Sequence, residues 1–107
     1  MYRYVILTLH FILGILIGYA QSNQVSGKLI DAKSKKPLQS ITVLLKNTDK
    51  KIISFKASNG EGEFTLLTTK HLEGAYLEIN HLGYKKKRID NVKSNQQVLI
   101  ELEESTI

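Results

Sequence analysis

Residues 58–66 read SNGEGEFTL, a glycine-rich turn that runs into an alternating apolar segment. Its two glycines, Gly60 and Gly62, are predicted to supply the positive φ angles that tight hairpin turns require. After the turn, the apolar residues Phe64 and Leu66 alternate with polar residues. This alternation predicts a strand with Phe64 buried. The stretch therefore predicts two strands joined by a hairpin turn.

Short alternating runs of the same kind recur along the chain, and polar turns separate them. The only proline, Pro37, closes a charged loop, and its missing N–H excludes it from a central strand position. No segment after residue 20 sustains a helical period. Seven short strands spaced by turns predict an all-β fold, a seven-stranded antiparallel β-sandwich. The predicted strands are 24–30, 41–46, 52–58, 63–67, 75–81, 84–89 and 98–102.

The first 20 residues have a different character from the rest of the chain. Residues 5–17 read VILTLHFILGILI, Arg3 precedes them, and Gly18-Tyr19-Ala20 follows. This order of basic, apolar and small residues is that of a secretory signal peptide, with cleavage expected after Ala20. A membrane anchor is the alternative, but a spanning helix needs about 20 apolar residues. We predict a signal peptide over 1–20 and one exported domain over 21–107, which does not span a membrane.

The composition narrows the chemistry open to this chain. Its 107 residues include no cysteine and no tryptophan, which excludes disulfides, thiol nucleophiles and cysteine-based zinc sites. His71 and His81 lack the spacing of metal ligands, and Glu61 and Glu63 have no evident catalytic partner. No serine lies in a nucleophile elbow. We therefore expect no catalytic residue, no metal and no cofactor, and not an enzyme.

A basic cluster, residues 85–88 with the sequence KKKR, follows Tyr84. Basic and aromatic residues together can bind polyanions, but on a strand these side chains alternate between two faces. Lysines on an edge strand also prevent sheets from pairing edge to edge. We favour a solvated edge strand over a polyanion site, and we expect no nucleic acid partner for an exported protein.

Four motifs in order resemble those of the carboxypeptidase regulatory-like domain, over about residues 24–102. They are GKLID at 27–31, KPL at 36–38 with the strand after it, SNGEGEFTL at 58–66, and LGY at 82–84. The family usually has aspartate where this chain has Asn59. The positions that match the family's motifs are Gly27, Asp31, Pro37, Leu38, Gly62, Phe64, Gly83 and Tyr84.

The resemblance implies a fold and a setting. Domains of this family are transthyretin-like (prealbumin-like) sandwiches, in which Phe64 and Tyr84 would be core or corner aromatics. They are non-catalytic, and they commonly form the N-terminal extension of TonB-dependent outer-membrane receptors. We therefore expect an interaction or spacer module that contacts an envelope protein, a receptor or a barrel. The expected location is the periplasm or the periplasmic face of the outer membrane, with secretion as an alternative.

Two further interpretations stay open on the sequence. A carbohydrate-binding module would recognise a polysaccharide through exposed aromatic side chains, and Tyr76 is the main candidate for such a ligand contact. The chain could equally be a truncated receptor or a peptidase-accessory fragment.

Overall fold

The computed structural model describes residues 22–105, and the predicted signal peptide lies outside them. No helix capable of crossing a membrane occurs in this part of the chain. Its elements are β1 (Asn23–Asp31), β2 (Thr42–Lys46), β3 (Ile52–Ala57), β4 (Glu63–Thr68), β5 (Tyr76–Ile79), β6 (Lys87–Ile89) and β7 (Gln96–Leu102).

The strands form two sheets, so the predicted all-β sandwich is confirmed. One sheet has the order β4-β1-β7 and the other β3-β2-β5-β6. The prediction that all strands are antiparallel is wrong at one pair, because β1 and β7 run parallel, from Val25 opposite Gln96 to Asp31 opposite Leu102. Alternation of apolar and polar residues shows which face a side chain occupies but not the direction of the neighbouring strand.

The core lies between the sheets and follows the alternation of the sequence. In and beside β2, Ile41, Val43 and Leu45 are all buried, while Thr42 between them is exposed. Phe64 is also buried, as predicted. Burial of side chains from every strand except the edge strands β3 and β6 makes one continuous apolar cluster. Its members are Val25, Leu29, Ile41, Val43, Leu45, Phe64, Leu66, Ala75, Leu77, Ile79, Val92, Ile100 and Leu102.

The glycine-rich turn is tight, but it does not make a hairpin. The Asn59 side-chain Oδ1 accepts hydrogen bonds from the backbone N–H groups of Glu61 and Glu63, at 3.0 and 2.9 Å. Gly62 has a φ of 77°, whereas Gly60 does not have a positive φ, contrary to prediction. The strands on either side pair with other partners, β3 with β2 and β4 with β1. The turn therefore links the two sheets, since local turn chemistry specifies a reversal and not the pairing partner.

The segment from β5 to β6 contains less strand than predicted. Gly83 has a φ of 93° in the turn that follows β5, and the N–H of Tyr84 donates to the carbonyl of His81 at 3.1 Å. Tyr84 then makes only an isolated bridge with Glu104. Regular pairing with β5 resumes at Lys87, so β6 is a short edge strand.

Candidate functional site

Asp31 and Tyr84, from the first and last motifs of the resemblance, meet in the structure. Asp31 Oδ1 accepts hydrogen bonds from the backbone N–H groups of Lys33 and Ser34, both at 2.9 Å. Its Oδ2 accepts the Tyr84 hydroxyl at 3.0 Å. The pKa of Asp31 is lowered because these hydrogen bonds stabilise its carboxylate. The backbone N–H of Ser34 contributes most, followed by that of Lys33, and the Tyr84 hydroxyl contributes less. Burial, and secondly this hydrogen bond, raise the pKa of Tyr84.

The glycines of the motifs allow close approach of the backbone. A Cβ on Gly27 would collide with the carbonyl oxygen of Val98 and would lie 2.8 Å from Cζ of Phe64. A Cβ on Gly62 would collide with the carbonyl oxygen of Leu29. Residues 30 and 37 form an isolated bridge next to this contact, which places Pro37 against the end of β1. The motif residues therefore contact the backbone of neighbouring strands and one another.

The predicted exposure of Tyr76 is wrong, because the residue is only 6% exposed. Its ring faces the outside of the four-stranded sheet, but the guanidinium of Arg88 covers it, with Cζ 3.8 Å from the ring centroid. Long side chains on neighbouring strands can bury an outward-facing aromatic in this way. Tyr76 does not offer the open ring face that a sugar platform requires.

A concave site does occur around Tyr76, and we call it the basic cleft. It has a volume of about 460 Å³. Strand register assembles it, since Lys46 lies opposite Tyr76 and Glu78 lies opposite Arg88 on the same outer face. The basic cleft is lined by Lys46, Lys50, Tyr76, Glu78, Lys86 and Arg88.

Among residues 22–105, Glu78 is the only acidic residue lining the basic cleft, and it is 8% exposed. Its two carboxylate oxygens form ion pairs with different lysines: Oε2 with Nζ of Lys46, and Oε1 with Nζ of Lys86 at 2.6 Å. Hydrogen bonding to Lys46, and secondly to Lys86, lowers the pKa of Glu78 to about 2. The same contact raises the pKa of Lys46. Glu78 is therefore ionised at neutral pH and positions both ammonium groups.

An apolar strip adjoins the basic cleft on the same face of the sheet. It consists of Leu44, Ile52 and Phe55, and Phe55 lies opposite Leu44, which in turn lies opposite Glu78. Phe55 is 68% exposed and Ile52 is 54% exposed, on the edge strand β3. One outer face thus carries the apolar strip on β2 and β3 beside the basic cleft, whose cations come from β2, the β2–β3 turn, β6 and the residue before β6.

Sequence reasoning found only part of this face. It placed residues 85–88 on an edge strand, which the sheet order confirms for β6. It did not connect Lys86 and Arg88 with Lys46 and Lys50, because those residues lie about 40 positions earlier. Phe55 had a detectable signal: residues 51–57 read KIISFKA, with apolar side chains at positions that face both sides of a strand.

The family model for the CarboxypepD_reg-like domain matches residues 25–107. A search of curated proteins finds no match. The shaft pilin SpaA of Lactobacillus rhamnosus GG superposes with a TM-score of 0.64 at 14% identity, covering 81% of this chain and 47% of the pilin. This chain therefore spans about half the length of that pilin.

Two further structures share the fold. The C-terminal domain of the same shaft pilin matches with a TM-score of 0.53 and 14% identity, covering 79% of this chain and 99% of the domain. The backbone protein of group B streptococcus pilus 2b matches with a TM-score of 0.50 and 17% identity, covering 78% of this chain and 42% of that protein. At these identities the similarity shows a shared β-sandwich fold.

Proposed function

The chain belongs to the CarboxypepD_reg-like domain family, and from that premise we propose that it acts as a non-enzymatic interaction or spacer module of the cell envelope. The β-sandwich fold that it shares with pilin shaft domains supports a structural role. The predicted signal peptide supports export. The resemblance to the N-terminal extensions of TonB-dependent receptors favours the periplasm, or the periplasmic face of the outer membrane, as its location.

The observation that supports an interaction role is the apolar strip, whose exposed members Ile52 and Phe55 lie on the edge strand β3. Edge strands leave backbone N–H and C=O groups unpaired on one side, and an added strand can pair with them. Phe55 stands beside that edge with 68% of its surface exposed. Full burial of a side chain of this size contributes about 1.5–3 kcal/mol. A partner that covers Phe55 and pairs with β3 would gain both contributions.

We propose that the partner is an envelope protein, a receptor or an outer-membrane barrel. The test uses the full tagged chain, purified after export and incubated with a detergent extract of the source cell's envelope. Retained proteins are identified by mass spectrometry. The variants are Phe55→Ser and, as a matched control on the outer face of the other sheet, Leu99→Ser, since Leu99 is 63% exposed.

We expect the wild type and Leu99→Ser to retain the same receptor or barrel, and Phe55→Ser to lose it. Both variants should have the wild-type melting temperature, because neither side chain belongs to the buried cluster. Retention that does not depend on Phe55 would refute an interaction through β3. Retention of no envelope protein by the wild type would refute the interaction role and leave only a spacer.

A further inference from the structure

We infer that the basic cleft and the apolar strip together bind an extended acidic segment of the partner protein, with a carboxylate seated in the cleft. This inference rests on the proposed function and specifies the chemistry of the partner. It involves no covalent step.

The residues that line the basic cleft carry an excess of positive charge. Four cationic side chains line it, and Glu78 is the single acidic residue among them. Glu78 is shared between Lys46 and Lys86, and Arg88 is paired at 2.8 Å with Asp90, which lies outside the cleft lining. No ion pair is formed by Lys50 within residues 22–105. A second carboxylate in the cleft would therefore meet an excess of positive charge.

The apolar strip beside the basic cleft favours a protein segment over other acidic ligands. A polysaccharide acid would satisfy the charge, but it has no apolar side chains for Phe55 and Ile52, and the ring of Tyr76 is covered by Arg88. A second copy of this chain would bring an equally basic face to this one, which disfavours it. A protein segment with both acidic and apolar side chains matches both halves of the surface.

The geometry of the sheet sets the spacing in that segment. Phe55 is on β3, Glu78 on β5 and Arg88 on β6, in the sheet order β3-β2-β5-β6. Arg88 lies three strand spacings of about 4.8 Å from Phe55, and Ile52, beside the turn that carries Lys50, lies three residues of about 3.3 Å from Phe55 along β3, so the cations are about 10–14 Å from the apolar anchor. An extended chain advances about 3.3 Å per residue, which corresponds to about three or four residues. The segment should therefore carry acidic residues about three or four positions from an apolar anchor.

The test is fluorescence anisotropy with the full chain and a labelled synthetic peptide of about ten residues, built on this spacing. The peptide carries a Leu-Phe anchor and two glutamates, and a matched peptide has glutamine in their place. Unlabelled polygalacturonate and inorganic phosphate are the competitors. We expect the glutamate peptide to bind more tightly than the glutamine peptide, and the difference to shrink as salt rises. Phosphate should compete only weakly, because it lacks the apolar contact.

Lys50 provides the variant that separates binding from folding, because it is exposed and its loss removes no ion pair of the described chain. Lys50→Gln should weaken the glutamate peptide about two- to fivefold, the range of an exposed charge pair, and should leave the glutamine peptide unchanged. The control is Lys28→Gln, on the outer face of the other sheet, which should change neither affinity.

Three results would overturn the inference: equal binding of the two peptides, no effect of Lys50→Gln, or no rise in the anisotropy of the glutamate peptide when the full chain is added. These results leave the proposed function testable on its own. An envelope protein retained through Phe55 but insensitive to Lys50→Gln would support the interaction role and refute the acidic ligand. Loss of retention in both variants would support both.

Discussion

An added methyl group at Gly62 should destabilise the domain for two separate reasons, backbone conformation and a close contact. Its φ of 77° is unfavourable for any residue with a Cβ, and the left-handed conformation costs about 1–2 kcal/mol. The new Cβ of Gly62→Ala would also collide with the carbonyl oxygen of Leu29. That oxygen accepts the N–H of Leu38 at 2.9 Å, a hydrogen bond worth about 0.5–1.5 kcal/mol. The expected loss in the free energy of unfolding is about 2–3 kcal/mol.

Two other glycines make this prediction specific. Gly83 also has a positive φ, of 93°, but nothing lies within 4 Å of the Cβ that a substitution would add. Gly83→Ala should therefore cost only the conformational term, about 1–2 kcal/mol. Gly60 lacks a positive φ, and a Cβ added there would lie 3.9 Å from Oε1 of Gln39, so Gly60→Ala should be neutral or slightly stabilising.

Urea unfolding followed by circular dichroism measures the whole series, and thermal melts provide a second readout. In a domain of this size, 1 kcal/mol corresponds to about 4–8 °C in the melting temperature, so Gly62→Ala should melt about 10–20 °C below the wild type. Of the three variants, Gly60→Ala should be the most stable, Gly83→Ala intermediate and Gly62→Ala the least stable. If Gly62→Ala were as stable as Gly83→Ala, the close contact with Leu29 would not contribute, and the argument from the turn would be refuted.

Two further predictions concern charged and polar contacts. The pKa of Glu78 is lowered to about 2 from an ordinary value of 4.5, so its ion pairs contribute stability above about pH 4.5, and this is lost as the pH falls toward 2. Glu78→Gln should accordingly be less stable than the wild type at pH 7, with the gap closing in urea titrations repeated down to pH 2; a constant gap would contradict the ion-pair argument. Tyr84→Phe removes the hydroxyl that donates to Asp31, so the urea midpoint should fall and the pKa of Asp31, followed by NMR, should rise. An unchanged pKa would show that this hydrogen bond does not form in solution.

The fold could be predicted from the sequence because its signals are local. Alternation in Ile41, Val43 and Leu45 follows directly from burial of one strand face, and a Gly-rich turn with Asn59 specifies a reversal. The partner of each strand was harder to predict. The parallel pairing of β1 with β7 joins segments about 70 residues apart, and no local pattern encodes it.

The candidate site was less predictable for the same reason. The basic cleft exists only because strand register sets Lys46 opposite Tyr76 and Glu78 opposite Arg88. The sequence leaves Tyr76 as the main exposed aromatic once Phe64 and Tyr84 are assigned to the interior, but the guanidinium that covers Tyr76 comes from a different strand. Burial of an outward-facing residue depends on the side chains of its neighbours, which only the assembled sheet defines.

The motif residues and the candidate binding surface occupy different parts of the domain. Substitutions in the two parts should therefore affect different properties, stability in one and binding in the other. Asp31, Gly27 and Gly62 contact backbone groups, so changes there act on stability. Phe55 and Lys50 support neither the core nor an ion pair of the described chain, so they can change without destabilising the fold. Glu78 is the exception on the binding surface, because its removal would leave Lys46, which is largely buried, without its counter-charge and so cost stability. In a domain arranged in this way, substitutions of exposed residues on one sheet face can change which partner it binds, while the fold stays the same.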